Sequence, residues 1–309
     1  MTTQPLRLSG LVAATFTPML ADGSLNPDAV PPMVEHLCRW KIAGLYVVGS
    51  TGEGVSLRSA ERQAAVEAFV EAAAGRVPVI VQVGHNSVAE AREMAAHAQR
   101  AGAAAVSATP PSYFKPASVD LLVRTMGEIA GAAPSLPFYY YHIPHVTGVR
   151  FDMLEFLGAA AGRIPTLAGI KFTSPALHEM LACSEFRPSD LEILSGLDEM
   201  LLPALAMGVR GAVGSTYNFA APCYTRILDA HARGDLHAAR QWQSRAVAMI
   251  GCVVGRHGLA GQKAAMKLIG HDCGPARLPL PRLDAGEVEQ LRADLDALGF
   301  FEWIGQSRD

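Results

Sequence analysis

The sequence predicts an α/β protein, a (β/α)8 TIM barrel with a C-terminal helical extension, and three observations carry that prediction. Eight short apolar runs, each ended by Gly, Ser, Thr or Pro, alternate with longer stretches of helical spacing, the order expected of a parallel sheet wound by crossover helices. The run Val77-Pro-Val-Ile-Val-Gln-Val83 is almost continuously apolar rather than alternating, as a strand covered on both faces should be. Eight units within about 220 residues fit a closed barrel better than a doubly wound sheet, which has fewer strands and a phosphate loop after the first.

The expected strands are Ser9–Thr15, Gly44–Val48, Val77–Val83, Ala103–Thr109, Pro137–His142, Leu167–Phe172, Leu191–Ser195 and Gly211–Gly214. Between them helical spacing marks Asp28–Trp40, Leu57–Ala74, Ser87–Ala101, Val119–Ala132, Phe151–Ala161 and Glu199–Met207. After Gly214 the pattern is helical only, from Pro222 to Leu298, with breaks at Gly255, Gly261 and residues 274–281. The expected organisation is a catalytic barrel over 1–221 and a helical extension over 222–309 packed on it. No low-complexity linker divides them.

Composition narrows the partners. Half of the 309 residues are apolar and 18% are charged, which allows a sizeable core and excludes a disordered or fibrous chain. A formal net charge of -3 without a block of like charges lacks the footprint of a nucleic-acid or membrane-surface binder. No apolar stretch approaches the roughly 18 residues that span a bilayer, and the run Leu11–Phe16 is too short for a signal peptide. A cytoplasmic protein is expected. Five cysteines without a C-x-x-C pair indicate neither a disulfide framework nor a zinc site, and buried free thiols are the simpler reading.

In this fold chemistry belongs at the carboxyl ends of the strands, and polar residues cluster there. Strand two ends in Gly49-Ser-Thr-Gly-Glu-Gly54, strand four in Thr109-Pro-Pro-Ser-Tyr113, strand five in Tyr139-Tyr-Tyr-His142, strand six in Lys171-Phe-Thr173, strand seven in Gly196-Leu-Asp-Glu199 and strand eight in Gly214-Ser-Thr-Tyr-Asn218. Lys171 is the most informative, one of five lysines against twenty-one arginines, and it completes the apolar run Leu167–Ile170. Burial disfavours an ammonium, which is one way a lysine becomes a nucleophile able to form a Schiff base with a ketone. The alternative is a lysine snorkelling to solvent or paired with a carboxylate. Tyr141 ends the preceding strand, where its phenol could shuttle a proton; the alternative is packing, with Tyr140 on the opposite face from Tyr139 and Tyr141. Ser50 and Thr51 between glycines form a cradle suited to a carboxylate, or an ordinary turn. His142 and His145 have the spacing of a metal pair, but Pro144 between them breaks any helix, so no metal site is expected. Asp198 and Glu199 are commonplace at a helix start.

Together these motifs resemble the class I pyruvate-dependent aldolases of the dihydrodipicolinate synthase and N-acetylneuraminate lyase superfamily, through Gly49-Ser-Thr-Gly-Glu53, Tyr141-His-Ile-Pro144 and Gly169-Ile-Lys-Phe-Thr173 in order. Phe138–Pro144, Thr147-Gly-Val149, Gly196–Glu199, Gly211–Asn218 and Arg277-Leu-Pro-Leu280 look like the sialic acid lyase branch. The resemblance implies reversible aldol cleavage of N-acetylneuraminate, or of a related 2-keto-3-deoxy sugar acid, to pyruvate and a sugar aldehyde, without metal or organic cofactor. Lys171 would be the Schiff-base lysine and Tyr141 the acid/base. Ser50 and Thr51 would hold the carboxylate, and Thr173, Gly196, Asp198, Glu199 and Ser215 the sugar hydroxyls. Tyr113 would complete a proton relay reaching a neighbouring subunit, implying a homo-oligomer, tetramer or dimer. A dihydrodipicolinate synthase would carry an Arg where Val146 stands, which counts against that activity. His142 departs from the Asn of many bacterial members. An aldolase or dehydratase for another keto sugar acid, and a sugar-acid-binding barrel without turnover, are the alternatives.

Overall fold

The computed structural model describes residues 6–186 and 191–305; the outer ends of the two expected segments, 1–5 and 306–309, lie outside these. Eight parallel strands close into a barrel in sequence order: β1 (Gly10–Ala14), β2 (Gly44–Val47), β3 (Val79–Gln82), β4 (Ala105–Ala108), β5 (Phe138–His142), β6 (Leu167–Phe172), β7 (Glu192–Ser195) and β8 (Gly211–Gly214), with β8 paired to β1. Helices α1 (Val30–Arg39), α2 (Ser59–Ala73), α3 (Val88–Arg100), α4 (Val119–Ala130), the single turn α5 (Pro144–Thr147), α6 (Met153–Ala160), α7 (Leu177–Glu185), α8 (Leu201–Ala206) and α9 (Tyr217–Ala232) follow the strands. Then come α10 (Leu236–Ile250), α11 (Arg256–Leu268), α12 (Ala285–Ala297) and α13 (Phe300–Trp303). Among the described residues no helix is long and apolar enough to cross a membrane.

All eight strands fall inside their expected ranges, most of them trimmed by a residue or two at the ends. Helix starts follow local capping: Ser87, Ser118 and Asp152 accept hydrogen bonds from Glu90 N (3.3 Å), Leu121 N (3.2 Å) and Glu155 N (2.7 Å), satisfying amides that have no partner within the helix. α7 is absent from the sequence expectation. It opens at Ala176 without a side-chain cap, as α8 does at Met200.

Strand pleating sorts side chains into two layers. Inside the barrel lie Val12, Tyr46, Ile80, Tyr139, Tyr141, Leu194 and Val213; the opposite faces, with Leu45, Val47, Tyr140 and Phe172, join the helices in the outer core. That core runs on through Leu291, Leu295, Phe300 and Trp303 of the last helices. The barrel floor is closed by Glu192, which accepts from Tyr139 OH at 2.6 Å and Leu8 N at 2.9 Å.

One buried ion pair joins the extension to the barrel mouth. Lys263 Nζ on α11 stands 2.7 Å from Glu53 Oε1, with side-chain exposures of 2% and 0%, and donates to the carbonyls of Thr17 (3.1 Å) and Pro275 (2.9 Å). Arg277 N donates to Glu53 Oε2 at 2.7 Å, while its guanidinium grips Glu61 through two bonds of 2.9 and 2.6 Å. That guanidinium, foremost among the causes, holds the Glu61 carboxyl down at about 2. Removing one partner of a buried pair leaves the other charge uncompensated. Lys263→Met is therefore expected to destabilise the fold by about 3–5 kcal/mol in denaturant unfolding, and a change within about 1 kcal/mol would contradict this account of the pair.

Candidate active site

Lys171 lies near the end of β6 and pairs in register with Tyr141 of β5, so both side chains enter the barrel at one level. Lys171 is 4% exposed and Tyr141 3%. The Lys171 amine is 4.0 Å from the centroid of the Tyr141 ring and 4.1 Å from that of Tyr46 on β2. Among the described residues it forms no ion pair. Of the two arrangements open at the sequence level, the amine turned into the barrel is the one present.

The Gly49–Gly54 turn beside it is tightly built. Gly54 N donates to Gly49 O at 3.0 Å and Thr17 Oγ1 to Gly52 O at 2.6 Å. A Cβ at Gly54 would fall 1.9 Å from the Val48 carbonyl oxygen, so the turn closes only with glycine there. Glu53 adopts φ 54°, a left-handed conformation held by its ion pair. Thr51 reaches the cavity, whereas Ser50 is exposed and outside its lining.

The cavity, about 190 Å³, is lined by Thr51, Tyr141, Lys171, Gly196, Asp198, Glu199 and Ser215, with Val213, Ile250 and Val254 supplying apolar surface. Ile250 ends α10, and Val254 sits in the π-helical turn Gly251–Gly255 before α11. Thr173 stands against Gly196, where a Cβ would come 1.8 Å from Thr173 Oγ1, so glycine permits the strand ends to approach. Asp198 Oδ2 accepts from Thr216 N (2.9 Å) and Thr216 Oγ1 (2.6 Å). The Tyr224 hydroxyl lies 2.7 Å from that Oγ1; since a hydroxyl has one proton and it goes to the carboxylate, the phenol is the donor. Burial pushes the Asp198 carboxyl up to about 6, against the pull of the Thr216 bonds.

Tyr113 lies outside this cavity in the single chain. Its ring is 77% exposed and packs edge-on against Phe114, itself 84% exposed, on a loop whose Ser112 and Tyr113 amides donate to Asn86 Oδ1 at 2.9 and 3.1 Å. His142 turns away from the barrel interior, stacking 5.1 Å from Phe172, and burial lowers it to about 4. Among the described residues no group of three or more His, Cys, Asp or Glu could hold a metal ion. A larger cavity of about 510 Å³ lies between residues 19–26 and α11, but Lys263 there is already saturated by Glu53 and two carbonyls, so size alone does not locate the chemistry.

The sequence matches the Dihydrodipicolinate synthetase family over residues 7–298. The chain belongs to this family. Within the dihydrodipicolinate synthetase family, it is 42% identical to N-acetylneuraminate lyase A of Xenopus laevis over 279 residues, covering 89% of this chain and 91% of that one. Its fold is similar to that of Proteus mirabilis N-acetylneuraminate lyase, with a TM-score of 0.92 and 38% identity over 96% of this chain and 100% of the other. A catalytic lysine mutant of Ruminococcus gnavus sialic acid aldolase is similar at a TM-score of 0.89 and 25% identity, covering 94% of this chain and 96% of the other.

Sequence reasoning missed Tyr46, Ile250 and Val254. Tyr46 had a usable signal: pleating along Gly44-Leu-Tyr-Val47 puts it on the face opposite Leu45 and Val47. Ile250 and Val254 had none, because tertiary packing of the extension brings them to the barrel mouth.

The raised Asp198 value fixes a sign. A carboxyl whose folded value lies above its ordinary 3.8 contributes stability that is full below about pH 4 and is lost as pH rises through about 6. Relative to Asp198→Asn, the wild-type protein should therefore lose about 2 kcal/mol of unfolding free energy between pH 4 and pH 7. Denaturant titrations at the two pH values measure it, and a difference that does not change with pH would refute it.

Proposed function

We propose that this protein is a Schiff-base carbon–carbon lyase that cleaves N-acetylneuraminate reversibly to N-acetylmannosamine and pyruvate. The observation that carries the reading is the Lys171 amine, buried between two tyrosine rings with Tyr141 at its own register and, among the described residues, no carboxylate paired to it. A carboxylate-paired lysine would have to break that pair before attacking a ketone.

The substrate carboxylate docks at the Ser50-Thr51 turn, and Lys171 adds to the C2 keto carbon, expelling its oxygen as water. The protonated imine then accepts the electron pair of the C3–C4 bond, so cleavage leaves an enamine rather than an unstabilised carbanion. Tyr141 takes the proton of the C4 hydroxyl as the aldehyde forms. It returns a proton to C3, and water hydrolyses the imine to free pyruvate and the amine. Asp198, Glu199, Ser215, Gly196 and Thr173 receive the polyol, and a missing hydroxyl leaves buried polar groups unpaired, which is the source of selectivity. Val146, exposed and apolar on α5, offers no cation for a second dicarboxylate-type substrate, which favours cleavage over a synthase reaction. No step calls for a metal or organic cofactor.

The exposed Tyr113–Phe114 edge supports a homo-oligomer, a tetramer or dimer, in which a second copy covers it and Tyr113 joins the proton relay of the neighbouring site. Five free cysteines, three of them buried, are consistent with a reducing cytoplasm.

Borohydride reduction in the presence of pyruvate, followed by peptide mass mapping, should place a pyruvate-derived adduct on Lys171, and Lys171→Ala should abolish both adduct and pyruvate release from N-acetylneuraminate. An unmodified Lys171 would sink the mechanism. Asp198→Ala should cost at least about tenfold more in kcat/KM on N-acetylneuraminate than on a short 2-keto-4-hydroxy acid, a discrimination of the size expected when a buried polar group loses its partner; equal losses would remove Asp198 from polyol recognition.

A further inference from the structure

We propose that Tyr46 is a positioning residue for the imine step, its ring face holding the nitrogen of Lys171 and the positive charge that nitrogen acquires. The inference rests on the Schiff-base reading above. Tyr46 and Tyr141 stand nearly perpendicular, at 83° with centroids 5.8 Å apart. The amine lies within about 4 Å of both centroids, inside the roughly 6 Å at which a ring quadrupole attracts a cation. Tyr141 is already assigned to proton transfer in that reading, which leaves Tyr46 for the charge. Tyr46 is fixed: its hydroxyl donates to Ser107 Oγ at 3.1 Å on β4, and it is 2% exposed.

The ring also touches the turn proposed to hold the substrate carboxylate. A Cβ at Gly49 would fall 2.8 Å from Tyr46 Cε1, so the first glycine of the Gly49–Gly54 turn lies directly on the ring edge. One rigid side chain thus sets the distance between the carboxylate cradle and the amine. The geometry matters because the keto carbon that Lys171 attacks is bonded directly to the carboxylate carbon, and a small displacement of cradle against amine spoils the approach. When the nitrogen adds to C2 and the keto oxygen leaves as water, the protonated imine carries its charge where the Tyr46 face is waiting. No anion is needed, and so no ion pair has to be broken when hydrolysis restores the amine.

The test uses the full-length protein and the rate at which pyruvate plus borohydride labels Lys171. Tyr46→Phe keeps the ring face and should label within about twofold of the wild type. Tyr46→Leu removes the face and should label about tenfold more slowly, the range expected for a desolvated cation–ring contact. Because Tyr46→Leu risks misfolding, phenylalanines bearing one, two or three ring fluorines at position 46 give a second measurement. They preserve shape while draining charge from the face, and the labelling rate should fall stepwise with each fluorine. A flat fluorine series, or Tyr46→Phe as slow as Tyr46→Leu, would overturn the inference. Absence of label on Lys171 in the wild type would instead overturn the Schiff-base reading itself, so the two failures are distinguishable.

Discussion

The site depends on a separation of charge. Lys171 is taken out of water and given two ring faces as neighbours, while the buried carboxylate of Asp198 is bonded elsewhere. Asp198 spends one carboxylate oxygen on the Thr216 amide and hydroxyl, with Tyr224 behind them. Of the influences on its carboxyl, burial is the largest and Lys171 the least. A carboxylate paired to a buried amine would have to be pulled away before that amine could react, and breaking a buried pair costs several kcal/mol. Tying the acid to a backbone amide and a hydroxyl keeps it apart from the amine, as the proposed division between polyol recognition and covalent chemistry requires.

A complete ion pair is instead placed where nothing has to move. Glu53 and Lys263 sit behind the Gly49–Gly54 turn, excluded from water and bonded further to the Arg277 amide and to two carbonyls. Such a pair adds little net stability over an apolar contact, but it is costly to disrupt and so fixes geometry. Together with the two-pronged Arg277–Glu61 contact it makes the extension a structural part of the mouth. Residues more than 200 positions apart in sequence thereby determine where Thr51 stands.

The barrel was legible because its signal is local and repeated: apolar runs, their lengths, and the stretches of helical spacing between them. Lys171 was legible because a lysine at the end of an apolar strand is conspicuous against an arginine-rich background. Tyr46 was hidden by familiarity, since an aromatic in a strand reads as packing unless its face is tracked, and here the packing partner is the amine. Ile250 and Val254 were beyond reach, because a π-helical turn shifts the phase of a helix by one residue and no periodicity argument anticipates which side chains it redirects into the cavity. The exposure of Ser50 and of Tyr113 was equally invisible, since it depends on loop paths rather than on strand pleating.

β5 shows how little residue identity alone decides. Its three consecutive tyrosines occupy three environments set only by the pleat and by height along the barrel. Tyr139 points inward at the floor and donates to Glu192, and burial together with that carboxylate raises it far above the usual phenol range. Tyr140 points outward onto Phe156, 4.6 Å away between centroids, and burial alone raises it as well. Tyr141 returns to the interior two residues above Tyr139, where the strand has reached the mouth, and it alone of the three lines the cavity. A register slip of one residue would turn Tyr140 to the amine and bury Tyr141 among the helices. The pairing of Tyr141 with Lys171 between β5 and β6 is therefore the step at which the strand arrangement becomes chemistry: the sheet's hydrogen bonds, not the side chains themselves, decide which phenol stands beside the amine.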